Sequence, residues 1–409
     1  MEPTISCFPR SLRQGGHLPY RSGMWLLPSL CYWSSLGFVA YTYAGYPALI
    51  NALARLRPRR PHTAPIEPTV TVVLAVRDEE AGIARKLDNL LALDYPADKL
   101  QVVVVSDAST DGTDAVVADY RDRHPERVVL VRLPEPAGKA EAINRGMLRA
   151  RGEVVLFCDA RQRIDQGALR ALVPHFADPQ VGAVSGELVI SGQRGPGVYW
   201  RYEKLIRAAE GLWDSVVGAT GALYGIRRHL FKELPPGTLL DDVYTPMQVV
   251  LQGYRVLFEP AARVHDQEAA LEGEFARKAR TLAGNFQLVE LMPQLLSPFK
   301  NRLLLQFASH KLLRLLCPYA LVTLLASNIV LVATLAPGWP LYVATLAGQL
   351  AAYGLAIRGA VEGEEAGRLS RVSHTFVVLN LAAVEGLRRY ASRELKWTTT
   401  RSNATTEPA

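Results

Sequence analysis

The chain predicts an α/β fold, a mostly parallel sheet with helices on both faces, with apolar helices before and after it. Two observations point there. Between residues 69 and 160, β-branched runs alternate with helix-period segments, and the runs are apolar from end to end, as strands covered on both faces are. Outside that region lie long uncharged stretches near both ends, whereas the middle has the composition of a soluble protein. With 409 residues the chain exceeds one ordinary core, so two or more units are expected.

The elements follow in order. TVTVVLAV (69–76) is the first strand, and EAGIARKLDNLLAL (80–93) has helical spacing, with Ile83, Leu87, Leu90 and Leu91 on one face. LQVVVVSD (100–107) is the second strand. DGTDAVVADYRDR (111–123) opens on Asp and Thr as helices do. RVVLVRL (127–133) is a third strand, KAEAINRGMLRA (139–150) a helix, and GEVVLFCDA (152–160) a fourth strand.

The flanks read as membrane segments. Residues 24–53 are uncharged and long enough to span a bilayer, and RLRPRR places four arginines directly after them. The run is too long, starts too late and lacks the cleavage site of a signal peptide. LLRLLCPYALVTLLASNIVLVATL and WPLYVATLAGQLAAYGLAI are two further spans, with Pro337, Gly338 and Pro340 at the turn between them. HTFVVLNLAAVEGLRRY is short and holds Asn380 and Glu385, so it reads as a tilted span, a packed helix or an interfacial helix. Lys300, Arg302, Lys311 and Arg314 put the start of the first C-terminal span on the face of the early arginines, so the intervening domain is expected to be cytoplasmic. The resulting division is a tail to residue 23, an anchor over 24–54, a Pro/Arg-rich linker over 55–68, a cytoplasmic domain over 69–290, interfacial helices over 291–311, two or three membrane helices over 312–390 and a polar tail over 391–409.

The net charge is +7. Because the basic residues cluster beside apolar runs, a membrane surface accounts for it better than nucleic acid. Cys7, Cys31, Cys158 and Cys317 have no metal-type spacing and read as small hydrophobes.

Ligands of parallel sheets bind at the carboxyl ends of the strands. There the first strand presents Arg77, Asp78 and Glu79, the second Asp107, and the fourth Asp159. Thr110 or Asp111 suits the cap of the next helix, which would leave Asp107 free. LLDDVYTPMQVVLQGYRVLFEP adds Asp241 and Asp242 at a helix start, where Asp is also a preferred cap.

In this order, LAVRDEE, VVVVSDASTDGT and GKAEAINRGMLRARGEVVLFCDA resemble the motifs of family 2 glycosyltransferases, which have a GT-A fold. The resemblance covers about residues 69–290 and extends loosely to the flanks, as in membrane-anchored, cellulose-synthase-like and exopolysaccharide members. It implies a nucleotide-sugar donor, a UDP-sugar, and a lipid-linked or polysaccharide acceptor. A polyprenyl-phosphate acceptor and a non-catalytic nucleotide-binding role in a polysaccharide assembly are the alternatives. It also implies a multi-pass protein of a bacterial-type plasma membrane.

The roles that the resemblance implies are specific. Asp107 would accept a hydrogen bond from the imide of a uracil-type base, for which an acceptor-only carboxylate is suited. Arg77, Glu79, Lys139, Arg161 and Arg280 would lie on the nucleotide and its diphosphate. Asp159 would hold a divalent cation, Mg²⁺ or Mn²⁺. Asp242 would be the general base, supported by Asp241.

The chain departs from the family in two places. Asp-x-Asp is replaced by Asp159-Ala160-Arg161, so either Asp159, phosphates and water hold the metal, or the Arg161 guanidinium supplies the charge. His265 is a candidate added ligand. Gln-x-x-Arg-Trp is replaced by a stretch with Arg277 and Arg280 but no tryptophan, which weakens a reading of polymer synthesis. GATGALYGIRR resembles the acceptor-loop segment, and YWRYEKLIRAAEG reads as an acceptor groove or a surface helix. A dinucleotide-dependent oxidoreductase is excluded, because the first turn reads VRDEEAG rather than Gly-x-Gly-x-x-Gly.

Overall fold

The computed structural model of the protein describes residues 25–191, 198–267, 271–335 and 340–394. Eight strands, β1 Val70–Val76, β2 Leu100–Ser106, β3 Val128–Arg132, β4 Val154–Phe157, β5 Arg163–Ile164, β6 Val181–Ser191, β7 Tyr224–Arg227 and β8 Arg255–Gln267, form one sheet in the order β3-β2-β1-β4-β7-β6-β8-β5. The first four are parallel and joined by helices Glu80–Leu91, Thr113–Arg123 and Lys139–Met147. Every residue of β2 is buried, which accounts for its unbroken valine run.

The register places Val76 of β1 level with Ser106 of β2, so the polar segments after both strands emerge at one edge. At that edge Asp107 N–H donates to the Val76 carbonyl at 2.9 Å, tying the two strand ends together. Close approach at the opposite end of the sheet depends on Gly152. A Cβ there would lie 2.5 Å from the Thr71 amide nitrogen and 2.8 Å from the Val154 carbonyl oxygen. Backbone atoms cannot swing aside, so Gly152→Ala is expected to cost about 1–3 kcal/mol, read as a lower unfolding midpoint; an unchanged midpoint would show that β1 and β4 can separate there freely.

The second half of the sheet corrects the sequence reading, which had four strands. GATGALYGIRR is not wholly a loop, since its last residues are β7, antiparallel to both β4 and β6. The physical reason is length, because four residues centred on Gly225 show no readable period. β8 runs parallel to β6, and β5 caps the sheet antiparallel to β8, with Arg163 opposite His265.

The flanking segments are helical. Leu26–Ala40 continues through a wider turn, Tyr41–Gly45, into Tyr46–Leu56. Its C-terminal part packs Tyr46, Ile50 and Ala54 against Ile206 and Ala209 of helix Val198–Trp213. Among the described residues two helices are long and apolar enough to cross a membrane, Leu304–Thr334 and Pro340–Glu362, and the helix expected as the anchor over 24–54 is not one of them. The first begins within the stretch expected to hold separate interfacial helices, because residues 304–312 continue into it without a break. The ambiguous third segment forms Arg368–Ala391, which packs Gly386 against Ala279, Leu282 and Ala283 of helix Leu271–Leu291. Of the expected turn residues, Pro337 and Gly338 lie outside the described residues, as does the tail to residue 23.

Candidate active site

The first two strand ends interlock. Asp78 accepts from Thr110 N–H at 2.7 Å, and Thr113 Oγ1 accepts from Glu79 N–H at 2.8 Å. Arg77 Nε lies 3.9 Å from Asp78. Asp111 receives Thr113 N–H at 3.0 Å from one residue before the cap position of that helix, which is Gly112. Asp107 is not the free carboxylate expected. It is fully buried, and its two oxygens accept from the amides of Ala137 at 2.7 Å and Gly138 at 3.0 Å. Those amides belong to the turn that opens helix Lys139–Met147, so Asp107 holds the turn from which Lys139 projects.

Lys139 is the hub of the site. Its Nζ lies 2.9 Å from Asp159 Oδ1, after β4, and 3.1 Å from Asp241 Oδ1, at the start of helix Asp241–Leu251. Burial lowers the lysine's affinity for its proton, but the carboxylates of Asp159, Asp241 and Asp242 outweigh it and hold the group well above the usual value. The other oxygen of Asp241 is buried without a hydrogen bond among the described residues, so Asp241 depends on Lys139 for compensation.

Asp242 is placed differently. Its Oδ2 accepts Gly221 N–H at 3.0 Å. A Cβ at Gly221 would sit 3.3 Å from that oxygen and 3.7 Å from Asp159 Oδ2, so the glycine is what lets the two carboxylates face one opening. Burial, then the neighbouring Asp241 charge, push Asp242 up from 3.8 to about 6, against the lowering effect of Lys139 and Lys311. A carboxylate poised near neutrality suits general base work. Arg280 also faces the group: burial lowers its pKa, while Asp159, Asp241 and Asp242 act to raise it. Glu79 is raised by burial, with Arg161 lowering it and Asp159 among the charges that raise it.

Two of the expected site residues are each held by one carboxylate. Arg161 pairs with Asp266 at 2.5 Å, and Gln162 donates to the same carboxylate at 3.1 Å. His265 pairs with Asp165 at 2.9 Å, because the β5–β8 pairing sets those segments side by side. That contact takes up the Nε2 of His265. Among the described residues no group of three His, Cys, Asp or Glu side chains is gathered to hold a metal. The half-exposed Asp159 is a hard oxygen donor open to the cleft, and one carboxylate with substrate phosphates and water is a normal set for Mg²⁺ or Mn²⁺.

Residues that the sequence did not single out complete the surroundings. Arg207, on helix Val198–Trp213, donates to Ser185 Oγ at 2.7 Å, and Thr220 N–H donates to the same oxygen at 3.0 Å. Their sequence separation left no local signal.

A sheet of this order, with acidic side chains from separate segments meeting at its carboxyl edge, defines a GT-A type nucleotide-sugar transferase fold. Residues 71–234 match Glycosyl transferase family 2, and the chain carries a domain of that family. The beta-monoglucosyldiacylglycerol synthase of Synechocystis sp. is 34% identical over 127 residues, 31% of this chain and 26% of that protein. The poly-beta-1,6-N-acetyl-D-glucosamine synthase of Staphylococcus aureus is 29% identical over 205 residues, 47% of this chain and 48% of that protein. The chain thus spans from about a quarter to about half the length of these curated relatives. The mannosyltransferase PcManGT of Pyrobaculum calidifontis, solved with GDP-Man and Mn²⁺, superposes with a TM-score of 0.69 at 26% identity, over 89% of this chain and 100% of that one.

Proposed function

We propose that the protein is a membrane-anchored, inverting glycosyltransferase that moves a sugar from a UDP-sugar to a lipid-linked or glycan acceptor. The observation that carries this reading is the Lys139–Asp159–Asp241–Asp242 group, in which one carboxylate, Asp242, is kept apart from the lysine contacts and raised toward neutrality. The acceptor hydroxyl attacks the anomeric carbon, its proton passes to Asp242, and the bond from that carbon to the diphosphate oxygen breaks. Lys139, Arg161 and Arg280 meet the charge of the departing nucleoside diphosphate. Asp159 would hold a divalent cation, Mg²⁺ or Mn²⁺, which when bound neutralises charge on the same diphosphate. Asp107 acts in this reading by ordering the turn that carries Lys139, and Arg77 and Glu79 border the nucleotide.

Residues 69–290 form the catalytic unit on the cytoplasmic side. The leading helix from Leu26 to Leu56 and the helices after 304 hold it at a multi-pass membrane address of bacterial plasma-membrane type, beside the partners of a polysaccharide or glycolipid pathway. The relatives named for glycolipid and polysaccharide synthesis support the acceptor class. The test is nucleoside diphosphate release by the full chain in bilayer discs against a panel of UDP- and GDP-sugars. Release from a UDP-sugar that EDTA suppresses is the expected result; release from no nucleotide sugar would sink the reading.

A further inference from the structure

Asp242 is held by a loop that is itself pinned from behind. Gly218 turns the chain with a φ of 93°, and the next three residues meet the start of helix Asp241–Leu251. Ala219 N–H donates to the Asp242 carbonyl at 2.7 Å, and Gly221 N–H donates to Asp242 Oδ2 at 3.0 Å. Between them, Thr220 N–H donates instead to Ser185 Oγ at 3.0 Å.

Ser185 is fully buried in β6, at the point where the pairing with β8 shifts register. Such irregularities re-aim side chains beside active sites. Its hydroxyl donates to the Gly186 carbonyl at 3.1 Å and accepts from Arg207 at 2.7 Å as well as from Thr220. A hydroxyl has one donor and two acceptor sites, so this one is fully used. A charged donor makes the stronger bond, so Arg207 fixes the oxygen on which Thr220 is held. Arg207 is fixed in turn. Its guanidinium lies 4.6 Å over the ring of Phe258, which stands level with Ser185 in the β6–β8 pairing. Its helix, Val198–Trp213, is tied to Leu304–Thr334 by His310, whose Nδ1 lies 2.8 Å from Glu210 and whose Nε2 lies 3.0 Å from Glu203. Arg314 also pairs with Glu203, and Tyr46 donates to Glu210 at 2.5 Å.

We infer that Ser185 and Arg207 are positioning residues for the candidate base: together they hold the Thr220 amide, and through it they keep the Gly221 N–H on the Asp242 carboxylate. The role rests on the transferase reading above, in which Asp242 takes the acceptor's proton. A hydrogen bond to a carboxylate favours its charged form, so the chain of contacts from Arg207 to Gly221 opposes the burial that keeps a proton on Asp242.

The test is the pH profile of nucleoside diphosphate release by the full chain in bilayer discs. Ser185→Ala removes no charge. Asp241, Lys139, Asp159 and Lys311 still act on Asp242, as do Arg207, Arg280 and the Tyr224 phenol. The acid limb, near pH 6 in wild type, is expected to move up by about one unit in Ser185→Ala, so that turnover at pH 5 falls about tenfold further than turnover at pH 8. An unmoved limb overturns the role whatever the plateau rate, because a merely structural loss lowers turnover alike at every pH. In the Ser185→Ala background, Arg207→Gln is expected to add little further shift, since Arg207 acts through that hydroxyl. A full further shift would mean that its charge acts on Asp242 directly, which overturns its positioning role. Hydrogen exchange of the wild type needs neither a folded variant nor turnover. Residues 216–223 are expected to exchange as slowly as β7, and exchange at the rate of an unbonded loop overturns the inference. Failure of the transferase reading shows separately, as wild type that releases nucleoside diphosphate from no nucleotide sugar.

Discussion

Asp242→Asn is expected to slow transfer at least about a hundredfold while donor affinity stays near normal. The amide keeps an oxygen for the Gly221 N–H but has nowhere to put the acceptor's proton. The wild-type rate should rise with pH up to about 6 and level above it, because burial and the Asp241 charge hold Asp242 protonated below that. Asp241→Asn removes the like charge, so the same limb should move to lower pH. The stability sign runs opposite to that of a salt-bridged carboxylate. The folded-state value is raised above the unfolded one, so the folded protein keeps a proton that the unfolded chain has lost, and stability falls as pH rises from 3.8 to about 6. Asp242→Asn should therefore not lower the melting temperature at pH 7. Rapid turnover by this variant, measured as nucleoside diphosphate release, would remove the base assignment, and a collapsed melting temperature would show that the loss is structural.

The second large effect is on stability. Glu203→Ala leaves Arg314 and His310 buried without their shared carboxylate. Breaking a buried charged pair from one side costs about 3–5 kcal/mol. Burial raises the Glu203 pKa, but Arg314 and His310 outweigh it and hold the carboxyl far below the ordinary value, so its contribution is present above pH 4.5 and is lost as pH falls below that. Glu203→Gln keeps a hydrogen-bonding head and should lose less. Denaturant or thermal unfolding of the full chain at pH 7 checks this, and an alanine variant as stable as wild type would mean that the network contributes specificity rather than stability.

The parallel half of the fold was legible because each strand is an unbroken apolar run bounded by a helix. The other half was not. β6 is interrupted by Gly182 and Gly186, β8 by Pro260, and both are joined by pairings between distant segments. The site divides along the same line. Asp159, Asp241, Asp242 and Lys139 sit in local motifs, and the structure brings them together. What Asp107, Arg161 and His265 touch was hidden, because Ala137, Asp266 and Asp165 reach them only through the turn after β3 and the β5–β8 pairing. Ser185, Arg207 and Thr220 are spread over 35 residues, and no local motif of the chain shows them meeting.

The packing of Tyr46, Ile50 and Ala54 on helix Val198–Trp213 bears on how the protein can be handled. Excising a water-soluble fragment at the arginine stretch would strip the cover from Ile206 and Ala209 and leave Glu210 without its phenol partner. The leading helix is thus a buttress of the sheet domain, and any preparation meant to keep the cleft intact should retain it.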